Sequence, residues 1–193
     1  MNYRLIIRQL GLLVLVLSAV LSCIWLWSAI AISISDDSVF ALLWSTCAGV
    51  ILGLALFLFG NCDTYKQGTG SMGRREALLL VSTSWIVGAV VATLPFLIWA
   101  RTASDANHPF RSIVNCFFEA MSGLTTTGAT ILTDISTVPA PLLFWRSMIQ
   151  WLGGLGIVVL FVAVLPSLGA GGKKLFRVEA PGPEPEGVRP HIR

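Results

Sequence analysis

Six consecutive small residues, Thr125-Thr126-Thr127-Gly128-Ala129-Thr130, follow a short apolar stretch, Ser112–Leu124, that carries one acid, Glu119. These residue types suit the coordination of a cation stripped of its water. Moving an ion into a low-dielectric medium costs on the order of tens of kcal/mol in the idealised Born limit unless oxygens replace its hydration shell. Extended backbone can aim successive carbonyls at one axis. Gly128 has no Cβ and reaches φ > 0, so the carbonyl row continues where another residue would clash. If the preceding stretch is a helix, its partially negative C-terminal end faces the row, which favours a cation over an anion. Carbonyls along this run are the candidate ligands, and a Thr at its inner end adds a hydroxyl oxygen.

Glu119 lies nine residues before Gly128. An acid at membrane depth is functional by default. It either anchors the Thr-rich run from behind by hydrogen bonding or attracts cations at a vestibule; the plainer alternative is a helix acid facing outer water. Arg146 opens a later apolar run and reads as an interfacial anchor. Gly153, Gly154 and Gly156 crowd one turn of that run and suit packing, a hinge, or the close approach of another segment. Ser45, Gly49 and Gly53 recur every four residues, the small-xxx-small pattern that lets helix backbones approach. Gly68 to Gly73 has dinucleotide-fingerprint spacing but lacks the strand–turn–helix context the motif needs, and reads as a loop. His108 and His191 are isolated beside prolines. Cys23, Cys47, Cys62 and Cys116 follow no metal-ligand spacing and read as small core residues. No catalytic constellation is present, and no enzyme activity, cofactor or nucleic-acid partner is expected.

The elements that position the Thr-rich run follow from composition. Only 12% of the 193 residues are charged, against about 25% in a soluble domain, and mean hydropathy is +0.79. With 55% hydrophobic residues, disorder is excluded as well. Residues 9–35, 38–62, 77–100 and 147–172 carry no charge. Each run exceeds the roughly 20 residues a bilayer core requires, so membrane helices are expected at about 10–33, 39–60, 77–99 and 142–165. Ser112–Leu124 would reach only about 20 Å as a helix, too short for a core of about 30 Å. Irregular backbone at that depth must line a cavity or be buried in protein. Residues 112–130 therefore read as a re-entrant loop, a half-helix that descends and extended chain that climbs back.

The basic residues agree. Arg4, Arg8, Lys66, Arg74, Arg75, Lys173, Lys174, Arg177, Arg189 and Arg193 all fall on one side if the short stretch does not span, which makes that side, with both termini, cytoplasmic. Arg4, Arg8 and the Leu-Ser-Cys at 21–23 have the layout of a signal segment, but the apolar run is too long and no soluble domain follows. Four prolines between Pro181 and Pro190 make the tail a connector.

The Thr-rich run partly matches the potassium-filter pattern TVGYG, which works through rings of backbone carbonyls. Three stretches resemble TrkH-type potassium uptake proteins of the Trk/Ktr/HKT superfamily: Phe117–Thr130, Phe144–Val159 and Leu175–Pro183. The resemblance runs from about Arg74 to Pro183. It implies a bacterial inner-membrane protein of four helix–pore loop–helix repeats around a pseudo-four-fold axis, each supplying a quarter of the filter; here Thr126, Thr127, Gly128 and Ala129 would supply the carbonyls of one quarter, with the Thr126 hydroxyl, and Glu119, Thr125 and Thr130 would support them. It also implies a homodimer of the full-length protein and a cytoplasmic nucleotide-binding regulatory subunit of TrkA type. The expected organisation is an accessory helix pair at 1–62, a cytoplasmic loop at 63–76, the first repeat at 77–165 and a cytoplasmic connector at 166–193. The fold class is all-α integral membrane, and the transported ion is K+. One filter strand cannot surround an ion, so the chain is expected to be the N-terminal part of a longer protein. The alternatives are a self-assembling homotetrameric cation channel and a non-transporting membrane scaffold.

Overall fold

In the computed structural model the described residues are 3–32, 36–61, 74–103 and 107–164. Five α-helices follow in order: α1 (Tyr3–Ala31), α2 (Asp37–Asn61), α3 (Arg74–Thr102), α4 (Ile113–Leu124) and α5 (Ala140–Val164). Short 3-10 turns at Pro109–Arg111 and Ile135–Thr137 lead into and out of the α4 region. The described residues contain no β-strand, so the all-α class holds. The glycine-spaced loop at 68–73, Cys62 and the proline-rich tail lie outside the described residues.

Helices α1, α2 and α3 are long and apolar enough to cross a membrane. α5 has 25 residues, about 37 Å at helical rise. α4 has 12, about 18 Å. The helices outrun their charge-free cores: α1 starts at Tyr3 rather than near 10, and α3 runs from Arg74 to Thr102 rather than 77–99. A charge ends an apolar run without ending a helix, because long side chains extend their heads past the turn they sit on.

The antiparallel pair α1–α2 is joined through small residues. A Cβ on Gly11 would lie 2.5 Å from the Phe57 nitrogen, and one on Gly60 2.7 Å from the Arg8 nitrogen. Gly49 and Gly53 make room for the side chains of Ser18 and Leu15, so the small-residue stripe of α2 is a packing surface. Backbone approach of this kind substitutes for the hydrophobic drive that lipid does not supply. The buried hydroxyls of Ser18, Ser28, Ser45 and Thr93 each donate to the carbonyl four residues back, which satisfies them inside their own helix.

α3 runs antiparallel to both α4 and α5. Trp85 lies beside Gly156, Gly88 beside Leu124, and the Phe96 ring meets Phe110 at a tilt, centroids 5.0 Å apart. Pro95 removes one backbone donor from α3. At that weakened turn the buried Trp145 indole donates to the Ala92 carbonyl at 3.1 Å and braces α5 to α3. His108 is buried, accepts from the Phe110 nitrogen at 3.1 Å and meets Trp99 edge-on. Asp134 caps the second 3-10 turn, and the Ser136 hydroxyl and amide hold its carboxyl below the ordinary range.

Large apolar side chains cover the outward faces, among them Trp27, Trp44, Ile51, Phe59, Ile86 and Trp151. Cys116 is buried and donates to the Phe110 carbonyl. Cys23 and Cys47 are exposed, not core residues. An apolar outward face tolerates a thiol as readily as a core does.

Candidate ion-binding site

Among the described α-helices α4 is the one short one, and the chain doubles back along it. The Ser122 hydroxyl donates to the Ala129 carbonyl at 2.6 Å. One turn earlier, Glu119 Oε2 accepts from the Thr130 hydroxyl at 3.1 Å and the Ile131 nitrogen at 3.2 Å. Further back still, Thr137 Oγ1 lies 3.5 Å from His108 Nε2. Falling numbers on one arm meet rising numbers on the other, so the return segment lies antiparallel to the helix.

The reversal is built at the end of α4. The Thr126 nitrogen donates to the Gly123 carbonyl at 2.9 Å and the Thr127 nitrogen to the Ser122 carbonyl at 3.0 Å. That is the Schellman pattern, with Thr126 in the left-handed position glycine usually fills. Thr126 has φ 58°, a strained value for a β-branched residue that costs on the order of 1–3 kcal/mol. The Thr125 hydroxyl bonds the Met121 carbonyl at 2.9 Å and pairs with the Thr127 hydroxyl at 2.9 Å, which holds the turn.

Gly128 also has positive φ, at 73°, while Thr127 between them does not. In a regular strand successive residues face opposite sides. Alternating the sign of φ rotates every second peptide and can bring successive carbonyls to one side. Thr125 to Thr130 are all exposed, whereas Ser122, Gly123 and Leu124 behind them are buried. Among the described residues, the carbonyls of Thr125, Thr126 and Thr127 take no hydrogen bond. The Gly128 carbonyl lies 3.4 Å from Arg146 Nη2. The Ala129 carbonyl takes the Ser122 hydroxyl, which leaves it one lone pair for any ligand.

α5 lies against this loop through one stripe. Arg146 pairs with Glu119, whose side chain is fully buried. Gln150 sits one turn deeper, its amide nitrogen 3.7 Å from where a Cβ on Gly128 would be. A Cβ on Gly153 would fall 1.9 Å from the Leu124 carbonyl oxygen, so Gly153 is the contact point between α5 and the end of α4. Gly154 and Gly156 have room: their nearest neighbours, Thr126 and Trp85, stand at 3.9 and 3.8 Å. Sequence reasoning placed Arg146 at the interface and did not find Ser122 or Gln150. A signal for Arg146 existed. It is the one charge in 142–165, and Glu119 is the one charge in 112–130; lone opposite charges in two apolar segments are each other's cheapest partners.

A short apolar helix with a doubled-back polar loop, set among membrane-length helices, is the architecture of a channel-like membrane transport protein. The chain belongs to the TrkH cation transport protein family, whose model matches residues 48–191. It is 37% identical over 193 residues to the Trk system potassium uptake protein TrkH of Salmonella typhimurium, covering 100% of this chain and 37% of that one. It is 34% identical over 165 residues to the potassium uptake protein TrkG of Escherichia coli, covering 83% of this chain and 32% of that one. The crystal structure of the potassium transporter TrkH from Vibrio parahaemolyticus matches with a TM-score of 0.73 at 29% identity, over 92% of this chain and 37% of that chain. The chain thus spans about a third of the length of these relatives.

Proposed function

We propose that this chain carries one quarter of the selectivity filter of a potassium uptake pore. The observation that carries the reading is the exposed run Thr125–Thr130, turned back along a 12-residue helix with positive φ at Thr126 and Gly128. Thr126 and Thr127 supply K+ ligands through carbonyls that take no other bond among the described residues; Gly128 and Ala129 contribute through the lone pair each keeps beside Arg146 and Ser122. Thr125, Thr130 and Glu119 support the strand. In this reading α4 and its return loop are re-entrant, residues 1–62 are an accessory helix pair, 63–76 a cytoplasmic loop, 77–165 the first pore repeat and 166–193 a cytoplasmic connector. Further repeats complete the ring, since an ion stripped of water needs oxygens on every side. The potassium uptake named for the relatives supports the choice of ion. The protein works in the bacterial inner membrane as a homodimer with a cytoplasmic nucleotide-binding regulatory subunit.

The test is growth. Cells without their own potassium uptake, given the native gene, should grow at limiting K+; no growth with the protein present in the membrane would refute the reading. Rescue by residues 1–193 alone, with a cross-linkable tetramer, would replace it with a self-assembled ring of four copies.

Orientation is tested separately. The basic bias puts Arg8 in the cytoplasm and Ser136 outside. In a cysteine-free background an impermeant thiol reagent should label a cysteine at position 136, and not one at position 8, in intact cells. Labelling from outside at position 173 would mean that 112–124 spans the membrane, and the re-entrant reading would fall.

A further inference from the structure

We infer that Arg146 is a positioning residue of the filter, one that holds the Gly128 carbonyl and neutralises the buried carboxylate behind the strand. The inference rests on the proposed filter. Glu119 has no exposed side-chain surface, and each of its oxygens is engaged: Oε1 by Arg146 Nε, Oε2 by the Thr130 hydroxyl and the Ile131 nitrogen. Thr130 Oγ1 in turn accepts from the Leu132 nitrogen at 3.1 Å. The carboxylate therefore pins the outer end of the strand. Arg146 reaches the middle of it, with Nη2 3.4 Å from the Gly128 carbonyl oxygen. Nε and Nη2 belong to one edge of a rigid guanidinium, so a single planar group spans the acid and the carbonyl together. A lysine ammonium is a compact charge on a flexible stem and would not hold that fork.

Two consequences separate this role from plain packing. The first is that Arg146→Lys retains the charge beside Glu119 but loses the fork. The second is that the pair is electrically neutral just behind a cation path, so removing either partner leaves a net charge of known sign in a low-dielectric region.

The test is Rb+ and Na+ uptake in potassium-uptake-deficient cells carrying the native gene, normalised to protein in the membrane. Arg146→Lys should retain Rb+ uptake and lose roughly tenfold in discrimination against Na+, the worth of one hydrogen bond from a charged donor. Arg146→Gln leaves an uncompensated carboxylate and should lower the KM for Rb+ together with the maximal rate, because a cation held harder leaves more slowly. Glu119→Gln leaves the guanidinium and should raise KM. The double variant should bring KM back towards wild type while selectivity stays poor. If Arg146→Gln does not insert, Arg146→Lys decides. Wild-type selectivity and KM in Arg146→Lys, or charge variants that change only the amount of protein, would overturn the inference and leave the proposed function standing. A wild-type protein without preference for Rb+ would overturn both.

Discussion

Gly153→Ala should abolish the proposed potassium uptake, whereas Gly154→Ala and Gly156→Ala should change it little. The added methyl at 153 would lie 1.9 Å from the Leu124 oxygen, 2.7 Å from its carbonyl carbon and 2.9 Å from its Cα. All three atoms are backbone, so no side chain can swing away. α5 would have to retreat from the end of α4 by on the order of 1 Å, given ordinary carbon contacts of about 3.5–4.0 Å. Overpacking of this kind costs about 1–3 kcal/mol, and more where the obstacle is main chain. The displacement would also carry Arg146 and Gln150 away from Glu119 and Gly128. At 154 and 156 the methyl meets ordinary contacts at 3.9 and 3.8 Å, and helix propensity improves by about 1 kcal/mol. Thermal stability in detergent and Rb+ uptake measure the outcome together. Wild-type stability and uptake from Gly153→Ala would contradict the packing role. Slowed uptake with raised stability in Gly154→Ala or Gly156→Ala would point to a hinge instead.

The membrane-length helices were legible because absence of charge over twenty or more residues is a strong signal. Their ends were not. Arg8, Arg75 and Arg101 lie inside helices, and nothing in composition tells a helical arginine at the interface from one in a loop. The short helix was legible from its length, and its end from the Thr-rich run, but not the geometry of that end. A Schellman reversal normally announces itself with glycine; here Thr126 holds the left-handed position and conceals it. Cys23 and Cys47 were misassigned to the core because a small apolar residue suits lipid and interior equally.

The strand's fixation was only half visible. Glu119 was identifiable as an acid with anchoring as one of its roles. Its bonds to Thr130 and Ile131 depend on the chain turning back over eleven and twelve residues, which no local pattern specifies. Gln150 and Ser122 are polar residues in apolar helices without a motif of their own. Helical spacing links Arg146, Gln150 and Gly153 on one stripe of α5 once the partner of any one of them is known.

Gly128→Ser carries the central claim. Gly128 has φ 73°, and the new Cβ would stand 3.7 Å from the Gln150 amide nitrogen, an ordinary contact. Space is therefore available, and the penalty is conformational. A left-handed dihedral costs an L-residue about 1–2 kcal/mol, on top of the strain already held at Thr126. The strand relieves that cost by rotating the peptide away from positive φ, which turns a carbonyl off the proposed axis. Since 1.4 kcal/mol is a factor of ten, discrimination between cations should fall by roughly tenfold while insertion is retained. The direct measurement is competitive uptake of Rb+ against Na+ by wild type and Gly128→Ser, side by side, in potassium-uptake-deficient cells at matched membrane levels. A selective wild type with the Rb+ to Na+ ratio falling in the variant is the predicted result. An unchanged ratio at equal protein would show that Thr125–Thr130 does not line the ion path.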